Sequence, residues 1–258
     1  MSDPVITVKD VSQRFGDRVI FEAVSLDVAE GEIFVILGGS GCGKSTLLRQ
    51  IIGLLPPSSG TITVLGQNMY GDRGTVLRRI GVMFQSGALF GSMNLLENIM
   101  LPLELYTDLP REARQAVAQI KLGLVGLADA GTKLPAEISG GMAKRAAIAR
   151  AMALDPRLLF LDEPSAGLDP SSSAGVDALL RDLRDTLGST IVVVTHELQS
   201  ILAIADRCVM LDKAARGPNA GGVIATGDPK ALRDNSDNPV VRAFFRREVL
   251  PATEGATA

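Results

Sequence analysis

A lysine and a serine set among glycines, Gly38–Gly39–Ser40–Gly41–Cys42–Gly43–Lys44–Ser45–Thr46, form the stretch with the most specific chemistry in this chain. The apolar run Ile33–Phe34–Val35–Ile36–Leu37 precedes it, and Leu47–Leu48–Arg49–Gln50–Ile51–Ile52 follows with a helical pattern. Strand, glycine-rich turn and helix, with Gly-x-x-x-x-Gly-Lys-Ser across the turn, is the phosphate-binding Walker A arrangement. Glycines let the backbone curl so that successive N–H groups converge on anionic oxygens. The helix that follows adds the positive end of its dipole. Lys44 is expected to reach the β- and γ-phosphates of a nucleoside triphosphate, and the Ser45 hydroxyl to sit on Mg²⁺.

Two further groups carry chemistry. The run Leu158–Leu159–Phe160–Leu161 ends in Asp162–Glu163–Pro164. Asp162 is suited to hold Mg²⁺ through its hydration shell, and Glu163 to orient or deprotonate an attacking water. Ser139–Gly140–Gly141–Met142 opens a helix rich in alanine, with Ser139 as the predicted N-cap. Nothing about a nucleotide held by the same molecule calls for that second small-residue turn. His196, the one histidine, directly follows the buried run Ile191–Val192–Val193–Val194–Thr195.

Elements must place these groups together. Val5–Val8 reads as a first strand, and Val19–Phe21 with Ala23–Leu26 as its hairpin continuation. In the turn between them Phe15 is either a core residue, which the pattern alone favours, or a platform for a base. Strands at Thr61–Val64, Ile80–Phe84, Leu158–Leu161 and Ile191–Thr195 alternate with helices, and several are continuously apolar. This predicts an α/β fold with a mostly parallel sheet covered on both faces. From Leu95 to about Leu127 the pattern is helical, with Ala113, Ala116, Val117 and Ile120 on one face, and Pro102 and Pro110 breaking it into pieces. The expected organisation is an ATP-binding core over 1–88 and 155–231, a helical insertion over 89–154, and an extension over 232–258. Val176–Leu187 is predicted as an amphipathic helix ended at Gly188, Lys213–Gly222 as a long loop, Val240–Glu248 as a short helix, and Pro251–Ala258 as unstructured.

The 258 residues carry a net charge of -3, which argues against a polyanion-binding surface. No signal segment or membrane-length apolar run is read, so the expectation is a soluble, cytosolic chain. Cys42 and Cys208 have no metal-ligand spacing and are expected as free thiols.

With Ser139–Gly140–Gly141 in its place between the glycine loop and Asp162–Glu163, the chain resembles the ATPase subunits of ABC transporters from about Val5 to about Ala231. That resemblance implies a homodimer with two composite ATP sites, in which Ser139, Gly140, Gly141 and Met142 face the γ-phosphate on the partner subunit. It assigns Phe15 to adenine stacking, against the core reading. It makes Gln85 the sensor of Mg²⁺ and the attacking water, Asp169 the loop crossing between subunits, and His196 the γ-phosphate contact. The implied catalytic set is Glu163, His196, Gln85 and Lys44, with Ser45, Gln85 and Asp162 at the metal. Met142 stands where the family usually has glutamine. With the segment Ser86–Asn98, it makes the chain most similar to the ATPases of Mla and Mce-type lipid transporters. Separate permease subunits, a periplasmic Mce-domain protein, a phospholipid cargo and a peripheral place on the cytoplasmic face of the bacterial inner membrane follow from that resemblance. The Val240–Arg247 helix also resembles an extension that supports subunit pairing, with docking on its own lobe as the equal alternative. An importer of small solutes such as amino acids, an ABC-type ATPase acting on ribosomes or nucleic acid, and a P-loop kinase or GTPase are the rivals. A single cassette, an acidic balance and the absence of an Asn-Lys-x-Asp motif weigh against the last two.

Overall fold

The computed structural model describes residues 4–71, 74–213, 215 and 221–248. Alternating apolar and polar residues at the start of the chain give a long hairpin. β1 (Ile6–Phe15) and β2 (Arg18–Val28) pair antiparallel, from Ile6 opposite Val28 to Phe15 opposite Arg18. β3 (Ile33–Gly38) is buried along its whole length and runs into the glycine loop and α1 (Lys44–Ile51). β4 (Ser59–Val64) and β5 (Gln67–Asn68) extend the hairpin into a four-stranded antiparallel sheet of order β2-β1-β4-β5. A short α2 (Gly74–Leu77) leads to β6 (Ile80–Met83).

Helices then take over: α3 (Leu95–Tyr106), α4 (Arg111–Leu124) and α5 (Gly140–Ala151) lie between β6 and β7 (Leu158–Asp162) in the chain. They are followed by α6 (Pro170–Leu187), β8 (Thr190–Val194), α7 (Leu198–Ile204) and β9 (Arg207–Asp212). β10 (Gly222–Gly227), α8 (Pro229–Asn235) and α9 (Pro239–Arg246) complete the described residues. The central sheet has the order β10-β9-β3-β8-β7-β6; all its pairings are parallel except β9 with β10.

The two-residue period of the buried strands divides the core between the two faces of this sheet. Ile33, Val35, Leu37, Leu159, Leu161, Ile191 and Val193 pack with the helices α3 to α7. Phe34, Ile36, Leu158, Phe160, Val192 and Val194 pack with α1 and the antiparallel sheet. The site residues leave the edge between these layers. Among the described residues no helix is long and apolar enough to cross a membrane.

Four expectations are corrected. Pro102 does not break its helix but sits inside α3. The end of that helix is fixed by a reciprocal cap, Glu97 N–H on Asn94 Oδ1 at 2.9 Å and Asn94 N–H on Glu97 Oε2 at 2.8 Å, and Leu95, Ile99 and Leu103 are buried. Packing and capping thus outweigh the one backbone bond the proline removes. Pro110, by contrast, does separate α3 from α4. The inward face of α4 is Ala118, Lys121 and Leu122, while Ile120 is 62% exposed. The helix is rotated from the expected face because Ala118, Leu122 and Val125 pack in the core, and Lys121 beside them reaches Asp155 with its ammonium at 2.5 Å. α6 begins at Pro170, six residues before Val176. Its first turn is polar and invisible to hydrophobic periodicity, but Asp169 caps it and Pro170 supplies a helical φ at the first position. Finally, the sequence predicts short strands at Val209–Leu211 and Val223–Ala225 around the Lys213–Gly222 loop, and β9 and β10 extend beyond both; most of that loop, with Pro251–Ala258, lies outside the described residues.

α9 docks on its own chain: Val241 and Phe245 are buried in the same core as β3 and β7.

Candidate nucleotide site

The parallel strands bring the chemistry to one edge. Val194 stands opposite both Ile36 of β3 and Asp162 of β7, and Met83 of β6 stands opposite Leu161. The glycine loop, Asp162–Glu163, Thr195–His196 and Gln85 therefore all emerge at the C-terminal ends of neighbouring strands, where open α/β sheets hold their ligands.

The glycine loop is shaped by contacts that only glycine permits. Gly38 has φ +147, and a Cβ there would lie 2.2 Å from the Leu211 carbonyl oxygen. Gly43 has φ +100, and a Cβ would lie 2.7 Å from the Phe21 ring. Gly43 is also the N-cap of α1, in the left-handed conformation, with no side-chain cap and no acidic residue in the first turn. The N-cap residue puts no side chain over the start of α1, which suits an anion site. Gly39, Ser40 and Gly41 are exposed, while Lys44, Ser45 and Thr46 are half-buried. The Lys44 ammonium donates to the carbonyls of Gly38 at 2.9 Å and Gly39 at 3.0 Å. Cys42 is buried beneath the loop, and burial raises its thiol pKa. Cys208, buried in β9, is pushed up to about 12, so both thiols are poor nucleophiles.

Asp162 and Glu163 end β7 in different environments. Asp162 Oδ1 is buried without a hydrogen-bond partner. Burial and then the neighbouring charge of Glu163 raise its pKa, against Arg49, Lys44 and Lys144. A buried carboxylate oxygen with nothing on it, beside the phosphate loop, fits a hydrated divalent cation. Glu163 has φ +51, a conformation that side-chain-bearing residues rarely adopt. Its Oε1 lies 2.7 Å from His196 Nδ1, and its Oε2 accepts from the Thr195 hydroxyl at 3.3 Å. With Glu163 ionised, Nδ1 donates to it, which fixes the tautomer of a ring that is otherwise exposed.

Phe15 is 51% exposed at the end of β1, not in the core as its sequence pattern favours. It stands opposite Arg18, and Ile20 and Phe21 further along β2 touch Gly43. Gln85 is exposed, its backbone carbonyl held by Lys144. Asp169 caps α6 through the N–H groups of Ser171 at 3.0 Å and Ser172 at 3.1 Å. Bonds from the Ser172 hydroxyl and N–H hold its carboxyl below the usual range.

Ser139–Met142 stands at the start of α5, where Gly140 lines one cleft with Gln85, and Gly141 lies beside Ser172, whose hydroxyl donates to Asp169. Among the described residues, no hydrogen bond joins this turn to residues 38–46. Ser139 caps α5 by accepting from the Met142 N–H at 3.3 Å. The Met142 side chain packs at the margin of the core, which accounts for an apolar residue there. Gly140 and Gly141 have ordinary φ values. A Cβ on Gly140 would meet Leu168 at 3.6 Å, and one on Gly141 would meet Ser172 at 3.5 Å, both ordinary contacts. Folding of this chain therefore does not demand either glycine, although glycine is a poor helix former.

Two contributors were not legible. Thr195 looks like one more residue of a β-branched strand, and Lys144 like a solvated helix position. Nothing in their spacing marks the bonds they make.

The ABC transporter family matches residues 21–166. The intermembrane phospholipid transport system ATP-binding protein MlaF of Escherichia coli is 42% identical over 93% of this chain and 88% of its own length. The probable ribonucleotide transport ATP-binding protein mkl of Mycobacterium leprae is 40% identical over 93% of this chain and 68% of its own length. Among solved structures, a dimeric ATP-binding cassette in a post-hydrolysis state with ADP and Pi superposes with a TM-score of 0.76 at 29% identity, covering 86% of this chain and 98% of that one. CbiO1 of Clostridium perfringens, part of an ABC transporter complex, gives 0.80 at 28% identity over 90% and 91%. With its glycine loop, its Asp162–Glu163 pair and its Ser-Gly-Gly helix on this fold, the chain belongs to the ABC transporter family, as an ATPase subunit.

Proposed function

We propose that two copies of this chain close around two ATP molecules and drive phospholipid movement through separate membrane subunits. Each site combines Phe15, Gly38–Thr46, Gln85, Asp162, Glu163 and His196 of one copy with Ser139–Met142 of the other. The observation that carries this is the pair Gly140–Gly141: two glycines at an exposed helix start that the fold does not need. Close approach of another molecule's phosphate to the backbone is what they permit.

In this reading the loop and Lys44 bind the triphosphate, and Phe15 stacks on the base. Ser45 and Asp162 hold Mg²⁺, with Gln85 beside them; when bound, the ion neutralises charge on the phosphate oxygens. Glu163 takes the proton of the attacking water, its carboxylate oriented by His196 and Thr195. Asp169 carries the loop between subunits. The 89–154 helices pass closure to permease subunits at the cytoplasmic face of an inner membrane, and a periplasmic Mce-domain protein receives the lipid.

The cargo reading is supported by the resemblance to MlaF-type proteins. The mkl relatives, named for ribonucleotide transport, support a second reading with that cargo. Glu163→Gln is expected to retain ATP binding, to slow turnover about 100- to 10,000-fold, and to elute as a dimer with ATP and a monomer without. A monomer under both conditions refutes the composite site. Mass spectrometry of what co-purifies with the assembled transporter is expected to find phospholipid; ribonucleotide in its place moves the cargo to the second reading.

A further inference from the structure

α5 begins at the Ser139–Met142 turn, where Ser139 and Gly140 are exposed, and a little further on the helix turns inward with a cation. The Lys144 ammonium donates to the Gln85 carbonyl at 2.5 Å and to the Glu163 carbonyl at 3.1 Å. Those carbonyls follow the ends of the adjacent strands β6 and β7. Arg150 on the same helix donates to the carbonyls of Ala88 at 2.7 Å and Gly87 at 3.0 Å, and its guanidinium lies 5.9 Å from the centre of the Phe90 ring. One helix thus presents the turn offered to a second copy and grips the whole segment from Gln85 to Phe90.

Lys144 is not there to neutralise a carboxylate directly, since its bonds go to backbone carbonyls. Burial lowers its pKa, while Glu163, Asp162 and Glu197 act to raise it. An apolar side chain would fill the same half-buried space without that desolvation. What the ammonium adds is a joint between two catalytic loops. One of its carbonyls belongs to Glu163, at φ +51; that carbonyl also accepts from the Ala166 N–H at 3.3 Å, and the Glu163 N–H donates to the Val194 carbonyl at 2.8 Å. The cleft beside Lys144, about 440 Å³ and open to solvent, is lined also by Gln85, Ser86, Gly87, Gly140 and Gly167.

We propose that Lys144 is a positioning residue that makes the two composite sites answer to each other. The Ser139–Met142 turn engages the nucleotide on a second copy, α5 moves as a unit, and Lys144 carries that movement to Gln85 and Glu163 of its own chain. The inference rests on the composite-site reading above.

The test uses the full chain with Lys144→Met, which keeps length and removes the donors, and Lys144→Arg, which keeps them. ATP turnover is measured against ATP concentration, ATP affinity of the monomer by calorimetry, and thermal stability alongside. Wild type is expected to respond sigmoidally. Lys144→Met is expected to lose about 5- to 100-fold in kcat, the range of an ordinary coupling between sites, and to become hyperbolic. Its monomer affinity for ATP measured without Mg²⁺ stays within about twofold of wild type, because Lys144 makes no hydrogen bond to the glycine loop. Lys144→Arg is expected to restore the sigmoidal response. Wild-type kcat and cooperativity in Lys144→Met overturn the proposal, as does an equal loss in both variants with a matching fall in melting temperature, which marks a structural role. Glu163→Gln separates the levels. If it dimerises with ATP while Lys144→Met behaves as wild type, only the coupling fails; if it never dimerises, the composite site fails and the coupling with it.

Discussion

The N-termini of α1 and α5 look alike in sequence, small residues leading into a helix, yet they are built in opposite ways. At α1 the loop is clamped from behind: Leu211 closes on Gly38, and Phe21 and Ile20 on Gly43. Its helix start has no side-chain cap. At α5 the helix start has its own serine cap, stands exposed, and touches its surroundings only at ordinary contact distance. Both ends lack an acidic residue in the first turn. Elsewhere α3 and α4 place Glu97 and Glu112 there, and α6 and α8 are capped by Asp169 and Asp228. A carboxylate at a helix start favours the helix but repels phosphate. α9, capped by Asn238, also has no acidic residue in its first turn; in the composite-site proposal the starts of α1 and α5 serve the same anion, one enclosing it and one closing over it.

This contrast can be broken by substitution, the largest effect first. Gly38→Ala forces a Cβ against the Leu211 carbonyl and is expected to destabilise the chain by about 3 kcal/mol and to abolish nucleotide binding, read by thermal denaturation and calorimetry. Ser139→Arg is expected to abolish turnover while monomer affinity for ATP stays within about twofold, since its site lies on the other copy. Parallel loss of binding and turnover would make both ends parts of one site. Gly141→Ala should divide the effects most cleanly. Stability is expected to rise by about 0.5 kcal/mol, because the position has helical geometry and room for a methyl group, while turnover falls. A loss of stability there would mean the fold itself needs the glycine.

The fold was most legible where local signals and packing agree. The run Ile33–Leu37, the glycines and Lys44 specify strand, loop and helix by themselves, and continuous apolar runs at Leu158 and Ile191 announce strands covered on both sides. Periodicity failed where a charged group turned inward. Lys121 is buried on the inward face of α4 beside Ala118 and Leu122, and hydrophobicity does not foresee a buried lysine. The start of α6 was missed because Asp169 and three serines specify a helix by capping and not by an apolar stripe. Phe15 shows the reverse limit: alternation in β1 points it toward a core, yet the hairpin turn carries it out to half-exposure. Within the site, the placement of Lys44 in the glycine loop and of Asp162 and Glu163 at the end of β7 can be read from motif and context. The bonds of Lys144 and Thr195 cannot, because they join segments that meet only after the sheet is assembled.

The walls of the glycine loop also set when it can exist. Its residues come early in the chain, but Leu211, which closes on Gly38, belongs to β9. The strand that supports Gly43 is tied down later still: the Glu22 N–H donates to the Gly221 carbonyl at 3.0 Å, and Gly221 sits so close to the Ile20 carbonyl that a Cβ would come within 2.4 Å of it. Contacts this distant in sequence form late, after much chain entropy has been lost. During synthesis the nascent chain carries the complete motif long before it has a binding site. An N-terminal fragment would carry the glycine motif without the walls that shape it, and it is expected to bind nucleotide more weakly than the full chain.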